Sequence, residues 1–194
     1  MRVLAIMCHP DDMELSCSGT LIKCKKRGDD VIACHASNGN MGHVEIEAPE
    51  LREIRIAEAK RAAALGGFEV VTTDFNDLCV NSADEEQRKK LIRLIRWARP
   101  DFIITHNPDD YMPDHTATSR LVFDAAFAAT LPNYHTPTEG AAKMVPIYYM
   151  DTLAGVNFNP TEYVDVTDHI EKKLEMLECH ETQVVWMREH DGID

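Results

Sequence analysis

Short apolar segments alternate with longer amphipathic segments along this chain, and this alternation limits the folds open to it more than any other feature. The apolar segments have the length of buried strands, which are predicted at residues 3–8, 31–36, 68–72, 102–105 and 147–150, with a further short strand near Tyr163 and Val164. Strands that alternate with crossover helices are typical of a mostly parallel sheet with helices on both faces. The sequence therefore predicts a doubly wound α/β fold.

The segments between these strands carry apolar residues at helical spacing. Helices are predicted from about residue 12 to residue 27, and over residues 49–66, 83–99, 113–129 and 168–187. Ser82 precedes a run of acidic residues and is predicted to be the N-cap of the third helix. We expect the irregular segment 131–146 to form a lid or a subunit contact. The chain ends abruptly at residues 189–194, which leaves room for a longer native tail over the site.

The bulk composition indicates a single domain, residues 1–194, located in the cytoplasm. Hydrophobic residues make up 44% of the positions, and no segment reaches the roughly 20 apolar residues needed to cross a bilayer. The opening segment lacks the features of a signal peptide. The net charge of −13 repels nucleic acid and anionic lipid, so neither is expected as a partner. The six cysteines show no paired C-x-x-C spacing and are expected to be buried free thiols.

Polar side chains cluster directly after the first and the fourth predicted strands. The first loop is His9-Pro10-Asp11-Asp12, and the second runs from His106 to His115. Ligands of open α/β sheets bind beyond the carboxyl ends of the strands, so the two loops are expected to meet there. Together they hold five aspartates and three histidines. A divalent metal would relieve the mutual repulsion of these carboxylates.

The same loops lack the motifs of several other classes of enzyme. The first loop has neither the glycines of a dinucleotide-binding turn nor a lysine-containing phosphate cradle. The chain also has no G-x-S-x-G motif and no H-x-E motif with P-C-x-x-C. These absences argue against dinucleotide-binding enzymes, serine hydrolases with a nucleophile elbow, and zinc deaminases.

Two imidazoles and one carboxylate are a common ligand set of catalytic zinc, which keeps a further position open for water. His9, Asp12 and a histidine of the second loop, His115, would supply that set. Asp11 adjoins a ligand and would be the general base. The residues alone leave simpler interpretations open, since the first loop could be a helix-capping turn and His115 a partly buried surface histidine.

The strand-Cys-His-Pro-Asp-Asp motif, followed much later by Pro-Asp-His at a helix start, resembles the LmbE-like or PIG-L-like de-N-acetylase family. The resemblance covers most of the chain through weaker matches at Gly19-Thr20, Arg55-x-x-Glu58, Pro100-Asp101 and His180-Glu181-Thr182-Gln183.

This resemblance implies a Rossmann-like fold and a metal-dependent hydrolase that removes an N-acetyl group, commonly from an N-acetylglucosamine-type sugar. It implies Zn²⁺ as the cofactor, with another divalent metal such as Fe²⁺ as the alternative. His9, Asp12 and His115 would be the metal ligands, and Asp11 would activate water and pass its proton to the leaving amine. It also implies a homo-oligomer that acts on a small N-acylated substrate.

The chain departs from the family pattern at Met112, where the resemblance leads us to expect a histidine that assists the developing oxyanion or the leaving group. Methionine can do neither, and Asp114 loses the partner that it would orient. An electrostatic contribution of about 3 kcal/mol must then come from elsewhere or be missing. Tyr111, His106 and the metal itself are the candidates.

Four further polar residues bear on the site or on the core. Arg55 and Glu58 lie one helical turn apart, which indicates either a substrate-contacting arginine or, slightly favoured, an ordinary exposed ion pair. His180, on the last predicted helix, is expected either to reach the site or to support local packing. His35, inside the second predicted strand, is expected to be a core histidine.

Two rival functions remain open from the sequence. A non-heme iron oxygenase also uses two histidines and one carboxylate, but on an all-β scaffold and with H-x-D spacing. The second rival is a binding protein that keeps the metal and the sugar site but has lost turnover because of Met112.

Overall fold

A computed structural model describes residues 1–137 and 140–192 of the chain. Residues 138 and 139 of the segment 131–146 and the last two residues of the chain, 193 and 194, therefore lie outside the described residues. The core is a five-stranded sheet in the order β3-β2-β1-β4-β5, in which every pair of neighbours is parallel. This architecture confirms the predicted doubly wound α/β fold, and it does not match the all-β scaffold expected of the iron oxygenase.

The strands are β1 (Arg2–Met7), β2 (Asp30–Ser37), β3 (Glu69–Phe75), β4 (Phe102–Thr105) and β5 (Ile147–Tyr149). The α-helices of the described residues are α1 (Asp12–Ser16), α2 (Ser18–Lys26), α3 (Ala48–Gly66), α4 (Glu85–Ala98), α5 (Pro113–Ala129), α6 (Ile170–Glu178) and α7 (Glu181–Trp186). A short 3-10 helix, Thr167–His169, precedes α6, and a π-helical turn, Met187–Asp191, follows α7.

Each face of the sheet is buried, because alternate residues of β1 point into two separate apolar clusters. Leu4 and Ile6 pack with apolar side chains of α4 and α5. Val3, Ala5 and Met7 pack on the opposite face with side chains of α2, α3 and α6. The central strand is therefore fixed from both sides, which gives the loop after it a rigid base.

The chain crosses from one side of the sheet to the other at β1, since β2 and β3 lie on one side and β4 and β5 on the other. The loops that follow β1 and β4 leave neighbouring strands at this switch point, where open α/β sheets form their ligand crevice. The two loops singled out by sequence therefore meet at this point of the fold.

Several boundaries differ from the sequence predictions. The segment near Tyr163 and Val164 is no strand, because it pairs with no described strand. The first helix is interrupted at Cys17, and the last is split around Cys179 and His180. The N-cap of α4 is Asp84 rather than Ser82, since the Asp84 side chain accepts a hydrogen bond from the Gln87 amide at 3.0 Å.

The cysteines and the helices also bear on the composition analysis. All six cysteines are free; four of them are buried as expected, whereas Cys79 is exposed and Cys179 is half-buried. Within the described ranges, none of the helices combines the length and the apolar character required for a membrane span. The segment 131–137 and residues 140–146 carry no helix or strand, as expected for an irregular connection.

Candidate active site

The loop after β1 holds Asp11 in an unusual backbone conformation. Its φ of 121° lies in a region that side chains other than glycine rarely adopt, and such strain collects at functional sites. Arg55 of α3 secures the turn, because its Nη2 donates to Asp11 Oδ2 at 2.9 Å and also to the carbonyl of Pro10. The neighbouring His9 amide donates to Asp12 Oδ2 at 2.7 Å. The loop thus presents its side chains in one fixed arrangement.

Three of the proposed donors converge at the end of β1. His9 Nδ1 lies 3.4 Å from Asp12 Oδ2, and His115 Nε2 lies 3.2 Å from Asp12 Oδ1. One ligand atom from each of these residues lies within 4.8 Å of the others. His115 Nε2 is buried and makes no hydrogen bond in the described part of the chain. The structure therefore brings residues 9, 12 and 115 together.

These separations fit a small divalent cation. Two donors at about 2 Å from a tetrahedral zinc are about 3.3 Å apart, which is close to the 3.4 and 3.2 Å between the Asp12 carboxylate oxygens and the two histidines. A buried imidazole nitrogen without a hydrogen bond is costly unless another group binds it. The donor set fits a metal at this position, and so does the buried His115 Nε2, which lies 3.2 Å from Asp12 Oδ1 without a hydrogen bond of good geometry.

Each metal-facing histidine has a carboxylate behind it. His9 Nε2 contacts Asp114 Oδ2 at 3.3 Å, and His115 Nδ1 contacts Asp110 Oδ2 at 3.1 Å. Such partners fix which ring nitrogen carries the proton and which is free to bind a metal. They direct His9 Nδ1 and His115 Nε2 towards Asp12.

Two other groups in the described residues could also hold a metal: Cys8, His9 and Asp114, and His106, Asp110 and His115. Each shares a histidine with the central group. In both cases the shared histidine would have to bind through the nitrogen that already faces Asp114 or Asp110. In the central group each histidine can bind through the nitrogen that faces Asp12, and of the three groups it is the one that contains Asp12.

The charges at the site favour ionised carboxylates. Burial would raise the pKa of Asp12, but His106, His115 and His9 outweigh it and hold the pKa well below its usual range. Burial would lower the pKa of His9, but Asp114 and Asp12 raise it well above the usual value. The site thus attracts positive charge, which a divalent metal would supply in place of protons.

Asp11 has the opposite character. Burial raises the pKa of its carboxyl, and the Arg55 guanidinium partly offsets that rise. A carboxylate with a raised pKa is a better proton acceptor near neutral pH. The pKa of Asp11 is raised, as suits a proton acceptor, whereas the pKa of Asp12 is lowered, as suits a metal ligand.

The two residues of the second loop that were proposed to contact substrate, His106 and Tyr111, differ in burial. His106 is buried, stacks on His115 with 3.9 Å between ring centroids, and accepts a hydrogen bond from the Cys8 amide at 2.8 Å. This placement argues against substrate contact and fits a support for His115. Tyr111, next to Asp110 in the same loop, is 52% exposed. Met112 is the N-cap of α5 and is half-buried.

Asp114 contacts groups other than the side chain at position 112, where the resemblance leads us to expect a histidine. Its Oδ2 accepts a hydrogen bond from the Leu78 amide at 2.7 Å and contacts His9. Asp114 therefore has no imidazole to orient at position 112, and it contacts His9 instead.

The slightly favoured interpretation of Arg55 and Glu58 as an exposed ion pair is wrong. Arg55 is 3% exposed and Glu58 is 1% exposed. Arg55 contacts Asp11, while Glu58 accepts two hydrogen bonds from Thr182 at 2.9 and 2.7 Å. Sequence spacing within one helix could not reveal these contacts, because every partner lies on another element.

Three buried ionisable groups lie deeper in the protein. His180 Nε2 is 3.2 Å from Glu14 Oε2, and both side chains are fully buried. Burial raises the pKa of Glu14 to about 7 and lowers the pKa of His35 to about 4. His35 is a core histidine, as predicted. Sequence reasoning missed Glu14, which was treated as an ordinary residue of the first helix.

Comparison with known proteins identifies the family. The GlcNAc-PI de-N-acetylase (PIG-L) family pattern matches residues 4–126. The chain is 31% identical to diacetylchitobiose deacetylase of Thermococcus kodakarensis, over 94% of this chain and 70% of that protein.

Solved structures agree with this result. The N,N'-diacetylchitobiose deacetylase of Pyrococcus horikoshii, solved with an inhibitor, superposes with a TM-score of 0.85 at 27% identity, over 96% of this chain and 73% of that one. The hydratase GalB of Pseudomonas putida has a TM-score of 0.83 at 22% identity, over 95% of this chain and 84% of that one, which shows the shared fold alone. By family match, sequence identity and fold, this chain belongs to the PIG-L de-N-acetylase family.

Proposed function

We propose that this protein is a zinc-dependent de-N-acetylase that removes the acetyl group from a small N-acetylated amino sugar. The observation that carries the proposal is the convergence of His9, Asp12 and His115 beside Asp11, whose carboxylate is held by Arg55. The ligand chemistry of two imidazoles and one carboxylate is typical of catalytic zinc, and Fe²⁺ is the alternative for the same donors.

His9, Asp12 and His115 would hold the metal, which when bound supplies Lewis-acid activation of the acyl carbonyl and of water. Asp11 accepts the proton of the attacking water, since its carboxylate is fixed in place and burial raises its pKa. The protonated Asp11 then returns this proton to the leaving amine. Arg55 keeps Asp11 in position, and its burial favours this role over the predicted contact with substrate.

Tyr111 takes over part of the work of the histidine that Met112 replaces. Its phenol is exposed, so its hydroxyl is free to donate to the acyl oxygen or to the sugar. The hydrogen bond is formed only when substrate is present, so its contribution falls on substrate binding and on the developing oxyanion.

We further place the enzyme in the cytoplasm as a homo-oligomer. Six free cysteines fit a reducing compartment. The oligomer rests on the resemblance to the family.

The experiment is to measure acetate and free amine released from N-acetylglucosamine and N,N'-diacetylchitobiose by the zinc-loaded protein. Turnover is expected, and it should be lost in a chelated sample and restored by added zinc. The variant Asp11→Asn, which keeps the size of the side chain, is the matched control. Equal release by the wild type and by Asp11→Asn would refute the assignment.

A second candidate function is a sugar-binding protein without turnover, which the methionine at position 112 favours. Calorimetric binding of the same sugars to the zinc-loaded protein, without acetate release under any condition, would support it over the hydrolase.

A further inference from the structure

A short segment near the end of the chain, residues 180–183, contacts three separate elements beneath the candidate site. His180 Nε2 lies 3.2 Å from Glu14 Oε2 of α1. Thr182 donates two hydrogen bonds to the Glu58 carboxylate of α3. Gln183 Nε2 donates to the carbonyl of Gly42 at 2.9 Å. Three of the four residues thus each contact a different element, and each of these elements lies far from residues 180–183 in sequence.

The elements contacted in this way either adjoin the proposed base, Asp11, or carry or contact Arg55, which holds it. Glu14 lies three residues after Asp11. Glu58 lies one helical turn after Arg55 on the same helix. Gly42 belongs to the loop whose Gly39 carbonyl accepts a hydrogen bond from Arg55 Nη1 at 3.2 Å. A displacement of the 180–183 segment would therefore reach Arg55 from two sides.

Gln183 lies close to Arg55 itself. A Cβ atom added to Gly42 would lie 3.1 Å from Arg55 Nη1 and 3.4 Å from Gln183 Oε1. The arginine and the glutamine thus pack against the same glycine, and a bulkier loop residue would separate them. The contacts form a continuous path from Gln183 through the loop and Arg55 to the Asp11 carboxylate.

We propose that His180, Thr182 and Gln183 are positioning residues for the catalytic base, which act by holding Arg55 against Asp11. This inference rests on the proposed hydrolase function for its effect on turnover. The contacts described for these residues are with Glu14, Glu58 and Gly42, and none of these three is a proposed metal donor. Their removal is therefore expected to lower kcat and to leave KM and metal content unchanged.

The test compares Gln183→Leu with Gln87→Leu. Gln87 is a matched control, because its side-chain amide also donates to a backbone carbonyl, that of Cys79 at 2.8 Å, but on the exposed surface of α4. A misplaced catalytic group can cost up to about 100-fold in rate, and Gln183→Leu is expected to lower kcat by about 10-fold to 100-fold. Gln87→Leu is expected to keep the wild-type kcat.

A second pair of variants addresses the contact with Glu58. Thr182→Val removes the hydroxyl donor and keeps the shape of the side chain, whereas Thr182→Ser keeps the donor. The valine variant is expected to lower kcat and the serine variant to restore it. This pair also keeps the test decisive if Gln183→Leu does not fold.

The side-chain Nε–H signal of Arg55 in ¹⁵N NMR spectra, assigned through its loss in Arg55→Lys, gives a readout without substrate. It is expected to shift in Gln183→Leu and Thr182→Val and to stay unchanged in Gln87→Leu. An unchanged Arg55 signal, or a shifted signal with wild-type kcat, would overturn the positioning role. If the wild type hydrolyses none of the sugars, the proposed function fails, and the Arg55 signal alone decides whether the segment holds this arginine.

Discussion

The two loops that form the candidate site are built in different ways. The loop after β1 spans four residues from His9 to Asp12, and its polar side chains are held by Arg55, Asp114 and the loop's own backbone. The loop after β4 is longer and mixes a buried part with an open one. His106 and His115 are buried and stacked, whereas Tyr111 is half exposed.

A hydrolase has two structural requirements, and each loop is suited to one of them. A base must stand at a fixed distance from the attacked carbon, which a short loop with little freedom provides. Substrate contacts must suit one particular sugar, which the exposed part of a longer loop can vary without moving the ligands. Met112 lies in the longer loop, so the departure from the family pattern falls where change disturbs the metal site least.

The largest expected effect is on metal binding through Asp12. Asp12→Ala removes the carboxylate that lies between both histidines, and we expect loss of bound zinc and a fall in turnover of about 1,000-fold or more. Asp109→Ala is the control from the longer loop, because Asp109 is exposed and its carboxylate accepts a hydrogen bond from the Asn157 side-chain amide at 3.2 Å rather than facing a proposed metal ligand. Metal analysis of both proteins tests the comparison, and a zinc content in Asp12→Ala equal to that of the control would exclude the proposed site.

The next effect is on the base. Asp11→Asn is expected to keep zinc and to lose roughly 100-fold or more in kcat, the range of general-base catalysis. Metal content and single-turnover rates measured on the same sample separate this outcome from the previous one. Near-normal turnover would move the base to another residue and would remove the distinction between the two loops.

Much of the fold and the metal group could be predicted because these features repeat along the sequence or follow strand ends. The alternation of apolar and helical segments is a property of the chain itself, and a parallel sheet brings its carboxyl ends together. His9, Asp12 and His115 were therefore predictable from two loops without coordinates.

The rest depends on tertiary contacts that no local pattern encodes. In the sequence, Arg55 looks like an ordinary surface residue of its helix. Only the packing of α3 against the first loop buries its side chain against Asp11. The apolar pair Tyr163 and Val164 has the composition of a strand but no described neighbour to pair with. Ser82 and Asp84 are both good N-caps, and the tertiary position of the turn decides between them.

A smaller effect is expected from the pH dependence of the base. Burial raises the pKa of Asp11 and Arg55 lowers it, so Arg55→Met is expected to raise it further. Because the base works as a carboxylate, the loss of kcat/KM on the acid side should begin at a higher pH in the variant. Profiles of kcat/KM against pH for both proteins test this, with Arg52→Met as the control because Arg52 pairs with Asp74 rather than with Asp11. An acid limb at the wild-type pH, or at a lower one, would show that Arg55 does not act on the charge of Asp11.

The smallest expected effect is at the position where the longer loop departs from the family. Met112→His restores the side chain that the resemblance leads us to expect, yet Asp114 already accepts the Leu78 amide and contacts His9. The introduced imidazole therefore lacks a free carboxylate to orient it, and an oriented donor is what gives this type of residue its full effect of about 100-fold or more. We expect a change in kcat of about tenfold or less, with unchanged metal content, and no change in the control Met144→His, whose side chain is 71% exposed. A gain of the full size would mean that Asp114 can leave His9 without loss of the metal. The longer loop would then be able to rearrange its buried part as readily as its open part, contrary to the comparison made between the two loops.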